Sequence, residues 1–227
     1  SIPHRYELKE DIEIASFLTA TISWGKRTMI LKSANKMMNI LGNSPYDFVM
    51  SYNPSSQNLL NGFVHRTFNA IDLDFFILGL QSIYKQHGGM EKVFNCHHKN
   101  ATALERISEF KKVFFSIEHP QRTQKHVGDP AKGSVAKRLN MMLRWLCRQD
   151  NNGVDFGIWK SISPSILSCP LDVHSGTVAR RLGLITRKQN DLKALAQLDS
   201  NLRALDPKDP VKYDFALFGV GESGELS

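Results

Sequence analysis

Cysteine is scarce in this sequence: among 227 residues there are three, Cys96, Cys147 and Cys169. An odd number with no CxxC spacing argues against a disulfide framework, a structural zinc site or a thiolate-ligated cluster, and a reducing compartment is expected. Long apolar runs are missing too. None approaches the ~20 residues that span a bilayer, and Ser1 opens into polar sequence with no apolar leader core, so the expected location is cytoplasmic and away from membranes. Strand-like alternation of period two is not found, nor is an internal repeat or a low-complexity tract.

What the sequence does have is basic charge and helical periodicity. Lysine plus arginine number 29 against 22 acids, a formal charge of +7, which favours polyanionic partners through counterion release. With both signs interspersed most of these side chains are solvated faces, so charge alone decides nothing. Apolar residues recur at helical spacing from Asp11 to Ile22 and from Met29 to Ile40. Turn formers then crowd Leu41–Ser56, with room for at most a short helix, and helix resumes near Leu59. Further helical patterns cover Asp72–Tyr84, Ala101–Phe115, Leu139–Leu146, Val178–Leu182 and Leu192–Leu205. The stretches 119–133 and 149–170 read as irregular, and Asp206-Pro207 introduces a final apolar segment. Six or more helices and no strand signal predict an all-α fold.

Two segments hold the residues with chemical promise. Gly133–Leu143 (GSVAKRLNMML) is a glycine-containing loop that opens a helix, where free backbone N–H groups can receive a phosphate. Thirty-five positions beyond Lys137, Asp172 stands where a new helix begins in Pro170–Leu184 (PLDVHSGTVARRLGL). Taken singly, each residue has an ordinary structural role open to it. Lys137 reads as a solvated helix lysine, Asp172 as an N-cap, and Asp214 and Phe218 as a surface acid and a core aromatic. Cys96, His97 and His98 form a plain polar loop rather than a metal site, since adjacent ligands rarely converge without further partners. Trp24 and Trp145 read as core aromatics, while Trp159, in the irregular 149–170 stretch, is the tryptophan expected to be free for stacking.

Together, the two segments resemble the helix-hairpin-helix DNA glycosylases. Lys137–Leu143 (KRLNMML) is similar to the lysine helix of endonuclease III, and Asp172–His174 (DVH) to its Asp-Thr-His, with Val178 and Arg181 in the same phase. The lysine-to-aspartate interval and the ending Tyr213–Gly221 (YDFALFGVG) more closely resemble the archaeal 8-oxoguanine glycosylase branch, and a bacterial branch of that superfamily is expected. Ile12–Trp24 looks like the family's early core helix. Two departures stand out: the Leu-Pro-Gly-Val-Gly hairpin of the commoner branches is replaced by His126–Gly133, and Met141 stands where the archaeal branch has an aromatic.

The resemblance implies a single catalytic unit over 1–227 with two helical lobes flanking a cleft, one over about 25–148 and the other formed by 1–24 plus 149–227. It implies Lys137 and Asp172 as the reacting pair. Asp214, Phe218, Met141 and Trp24 would form the base pocket, with acid and aromatic four apart on one helix face. Phosphate contacts would come from Lys132, Gly133, Ser134, Arg180 and Arg181. No cofactor, metal or iron–sulfur cluster is expected; the partner is double-stranded DNA bearing a damaged base, bound by a monomer. The implied function is base-excision repair, a glycosylase with abasic-site lyase activity on an oxidised purine, working through a lysine Schiff base. That mechanism requires a neutral amine, hence burial able to lower the lysine pKa from ~10.4. The alternatives are a monofunctional glycosylase with Asp172 activating water, a catalytically silent DNA-binding protein, and a helical interaction module whose charge is incidental.

Overall fold

A computed structural model of the chain describes residues 2–95, 101–150 and 153–223. It is predominantly helical, and it divides into two compact units, one of residues 1–96 and 109–127, the other of 97–108 and 128–227.

The first unit holds α1 (Lys9–Thr21), α2 (Arg27–Leu41), α3 (Pro45–Ser51), the hairpin strands β1 (Val64–His65) and β2 (Phe68–Asn69), α4 (Ala70–Gln86) and α5 (Met90–Phe94). It also takes the C-terminal half of α6 (Ala103–Phe114). Every residue of α1 from Asp11 to Thr21 is buried, so its polar side chains need partners. The Asp11 carboxylate accepts the Tyr46 N–H at 2.7 Å, at the start of α3, and Glu13 accepts the Tyr84 hydroxyl at 2.7 Å. At the centre Phe17 stacks on Phe76 (centroids 5.5 Å apart) and meets Phe110 and Phe114 edge-on at 5.3 and 5.2 Å. Gly79, mid-way along α4, lets the Phe114 ring rest on the helix backbone, since a Cβ there would lie 2.7 Å from the ring.

The second unit holds the N-terminal half of α6, α7 (Lys137–Cys147), α8 (Val173–Arg181), α9 (Leu192–Leu205) and α10 (Asp214–Ser223). Its core is aliphatic: Leu171, Val178, Ile185, Leu195, Leu198, Leu202 and Leu217 pack together. Asp191 caps α9 by accepting the Ala194 N–H at 3.0 Å. The stretch between α7 and α8 is irregular but tied down, with the Phe156 and Trp159 N–H groups donating to the Trp145 and Leu146 carbonyls at 2.7 and 2.8 Å.

Three expectations are corrected by these observations. Residues 1–24 belong with 25–96, because Phe17 is the hub of the aromatic core; the lysine helix α7 instead belongs to the second unit. The region near Leu59 is a 3-10 turn over Pro54–Leu60 followed by the β1–β2 hairpin, so the fold is not free of strand. Trp159 is fully buried, held inside by the backbone bonds of its loop to the end of α7, and is not free for stacking.

Candidate functional site

Lys137 is the first residue of α7. The N-cap before it, Ala136, sits in the left-handed region at φ 44° and offers no side-chain cap, a conformation that costs a residue with a Cβ roughly 1–2 kcal/mol. The loop leading there is closed by its own bonds. The Ser134 N–H donates to the Asp129 carbonyl and the Ala136 N–H to the Ser134 hydroxyl, both at 3.1 Å, with Gly133 at φ 91°. The first turn of α7 therefore begins without a side-chain cap, directly beside the lysine.

Asp172 is the N-cap of α8, and its two oxygens have different partners. Oδ1 accepts the Ser175 N–H at 3.0 Å, while the Ser175 hydroxyl accepts the Asp172 N–H at 3.0 Å, a reciprocal capping box. Oδ2 lies 3.5 Å from Lys137 Nζ. The Lys137 side chain is 29% exposed and that of Asp172 22%, so a molecule arriving from solvent can reach both. Met141, one turn along α7, places its Sδ 4.0 Å from the same amine.

The other residues expected around this pair fall into three groups. Asp214 heads α10 and is buried, with both oxygens engaged: Oδ2 accepts from Arg144 at 3.1 Å and Oδ1 from the Cys169 thiol at 3.7 Å. Burial pushes its carboxyl above the usual range, against the opposing pull of Arg144 and Lys137. Phe218 is half-buried, edge-on to His174 at 5.7 Å. Helices α8 and α10 meet closely there, for a Cβ on Gly221 would lie 2.8 Å from the His174 carbonyl oxygen. Lys132, Gly133 and Arg181 are exposed and Ser134 half-buried. Arg180 is occupied, donating to the Arg187 carbonyl at 2.7 Å and to Asn190 at 2.6 Å. Trp24 lies in the first unit, stacked on His126 at 6.1 Å and edge-on to His65 at 4.9 Å. Cys96, His97 and His98 lie outside the described residues.

Arg144 was not legible as part of this arrangement. It is 1% exposed, donates to Asp155 at 3.0 Å as well as to Asp214, and lies under the Phe215 ring at 3.8 Å. Arg148 adds bonds to Asp155 and Asp209, both at 2.8 Å. Lys137, Met141, Arg144 and Arg148 follow at intervals of four, three and four and so share one face of α7. That face carries a partly accessible amine at its start and a buried ion network behind it. The available signal was spacing, Arg144 being seven positions after the lysine. Its acids, 11 and 70 positions away, could not be paired with it in advance.

A recess of about 420 Å3, lined by Gly183, Leu184, Thr186, Gln197 and Asn201 among others, lies between the end of α8 and α9, and neither Lys137 nor Asp172 borders it. Among the described residues no three His, Cys, Asp or Glu side chains are grouped to hold a metal, and no helix is long and apolar enough to cross a membrane.

The fold and site thus define a predominantly helical protein with a lysine–aspartate pair at the starts of two helices. Over residues 1–223 the chain matches the family described as Protein of unknown function (DUF2400), and it belongs to that family. No curated protein and no solved structure matches it.

Proposed function

We propose that this protein is a DNA glycosylase with abasic-site lyase activity. The observation that carries the reading is the 3.5 Å approach of Lys137 Nζ to Asp172 Oδ2, on two helix starts thirty-five residues apart in one compact unit. A reachable amine beside one carboxylate supplies the two groups the reaction calls for, a nucleophile and a group to steady positive charge.

In the proposed reaction the damaged nucleotide leaves the stack, since its sugar carbon cannot be approached inside a duplex. Lys137, as the neutral amine left after a proton passes to water, attacks C1′ with its lone pair as the C1′–N bond breaks, and the base departs with that bond's electrons and takes a proton from the new ammonium. Asp172 steadies the positive charge that develops on the sugar. Opening of the sugar ring gives the imine. Loss of a C2′ proton then expels the 3′ phosphate, and water releases the lysine.

The same ion pair favours a second reading. In it Lys137 keeps its ion pair with Asp172 and positions the DNA while Asp172 activates water, as in a monofunctional glycosylase.

Borohydride trapping on duplexes containing 8-oxoguanine or an abasic site tests the proposal. Wild type is expected to give a covalent adduct that Lys137→Gln loses by at least ~100-fold, the scale of nucleophile removal. Base release without any adduct would establish the second reading; neither release nor adduct from folded protein would overturn both.

A further inference from the structure

Three stretches that meet in the first unit carry cations and no acid. Residues 14–46 contain no acid, and neither do 48–71 or 119–128. The first of these stretches carries Lys26, Arg27, Lys32 and Lys36, the second Arg66, the third Arg122 and Lys125.

The fold of the first unit brings the three stretches together. Trp24 is the hub, edge-on to His65 of β1 and stacked on His126. His65 ties the hub to α2, its Nδ1 3.0 Å from the Ser33 hydroxyl and its Nε2 3.2 Å from the Trp24 carbonyl. Lys36 donates to the Gly62 carbonyl at 2.5 Å, Arg122 to the Thr67 carbonyl at 2.9 Å, and the Arg66 guanidinium lies against Gly25. All seven cations are exposed. Asp72, the acid that follows the second stretch, is fully buried and occupied by Arg122 and by the cap of α4. Asp74 is engaged by Tyr52 and Gln57. Arg66 is held at φ 53° in the tight β1–β2 turn, where glycine or asparagine would sit without strain.

We infer that this face of the first unit, α2 with the β1–β2 turn and the 121–126 segment, binds the phosphate backbone of double-stranded DNA. Exposed cations spread over three chain segments, none of which contains an acid, match a repeating line of phosphates rather than one small anion, Arg122 contributing least because it is paired with Asp72. The choice of DNA as the polyanion rests on the function proposed for Lys137 and Asp172; the cationic face does not.

The test is fluorescence anisotropy on a short undamaged duplex across a salt series. It compares wild type, the triple variant Arg27→Glu/Lys32→Glu/Arg66→Glu, its glutamine counterpart, and a control reversing exposed charges elsewhere, Lys188→Glu/Lys193→Glu/Lys208→Glu, with folding followed by circular dichroism. Each phosphate contact contributes about 0.9 to the slope of log K against log salt. The triple variant should therefore lose about 2 to 3 from that slope and bind at least 10-fold more weakly, the glutamine set less so, and the control should match wild type. Equal loss in triple variant and control, or an unchanged slope in both triple variants, overturns the inference. So does wild-type binding to phosphatidylserine vesicles without binding to duplex. Lys137→Gln separates the two proposals. Binding that depends on the face, with no adduct in wild type, leaves the face standing and the lyase fallen. An adduct formed equally well by the triple variant at every salt concentration leaves the reverse.

Discussion

The two units solve the problem of a core in different ways. The first is built on aromatic rings, with Phe17 against Phe76, Phe110 and Phe114, and Phe94 stacked on Phe110 at 4.3 Å. The second is aliphatic and buries ions, with Arg144 between Asp155 and Asp214. Interlocked rings resist any change of volume. A buried ion network depends on every partner being present, because each charge has given up its water. The unit that carries Lys137 and Asp172 thus holds its buried arginine between two acids by the fold, while the seven cations of the acid-free stretches lie on the outside of the first.

The contrast can be broken by mutation. The largest effect is expected from Phe17→Ala, which removes the ring that three others touch; a loss of about 3–5 kcal/mol should be read in urea unfolding, and a loss under ~1 kcal/mol would mean that the ring cluster relaxes around the gap. Arg144→Met should cost about 3 kcal/mol by leaving Asp214 without its cation and Asp155 with Arg148 alone. Adding Asp155→Asn and Asp214→Asn should recover much of that; a triple variant no better than the single one would place the cost in packing instead. Asp172→Ala should cost about 1 kcal/mol through the lost cap, with base release falling far more than stability. Asp172→Asn should keep the cap and still lose the proposed reaction.

The smallest effect is one of pH. Burial lowers the pKa of His65, helped by Arg66 and opposed by the Trp24 and Ile22 carbonyls, with the Ser33 hydroxyl at its other nitrogen. The unfolded chain then binds the proton more readily than the folded one. Stability from this group is intact above the unfolded value of ~6.5 and declines as pH falls below it towards the lower folded value. Thermal melts between pH 7.5 and 5.5, a window of about two units around that value, should show wild type losing more than His65→Gln. Parallel curves would remove His65 as the cause.

Much of this was legible in the sequence because it is local. Helical spacing in Asp11–Ile22, Asp72–Tyr84 and Leu192–Leu205 anticipates α1, α4 and α9 to within a few residues, and Asp172 announces α8 as a cap. The nearness of Lys137 to Asp172, by contrast, was expected only from the resemblance of their two segments to one family. What escaped is what depends on distant partners. Two-residue strands such as Val64–His65 are too short to show alternation, and Trp159 is buried by bonds to the end of another element. Arg144 in a charged helix looks like any solvated arginine until Asp155 and Asp214 close on it. The meeting of three acid-free stretches around Trp24 is likewise invisible until the hairpin folds.

The cap on α8 has a further consequence, kinetic in kind. Because Asp172 Oδ1 is fixed by Ser175, the rotation of this side chain is frozen when the helix forms. The ordering entropy of the carboxylate is spent during folding and not at the moment of the proposed reaction. A carboxylate already aimed needs no reorganisation as charge appears in front of it. Ser175→Ala, which removes the hydroxyl that donates to Oδ1 at 3.2 Å and accepts the Asp172 N–H but leaves the backbone cap, should then slow the proposed reaction through a more negative activation entropy while leaving the activation enthalpy nearly unchanged.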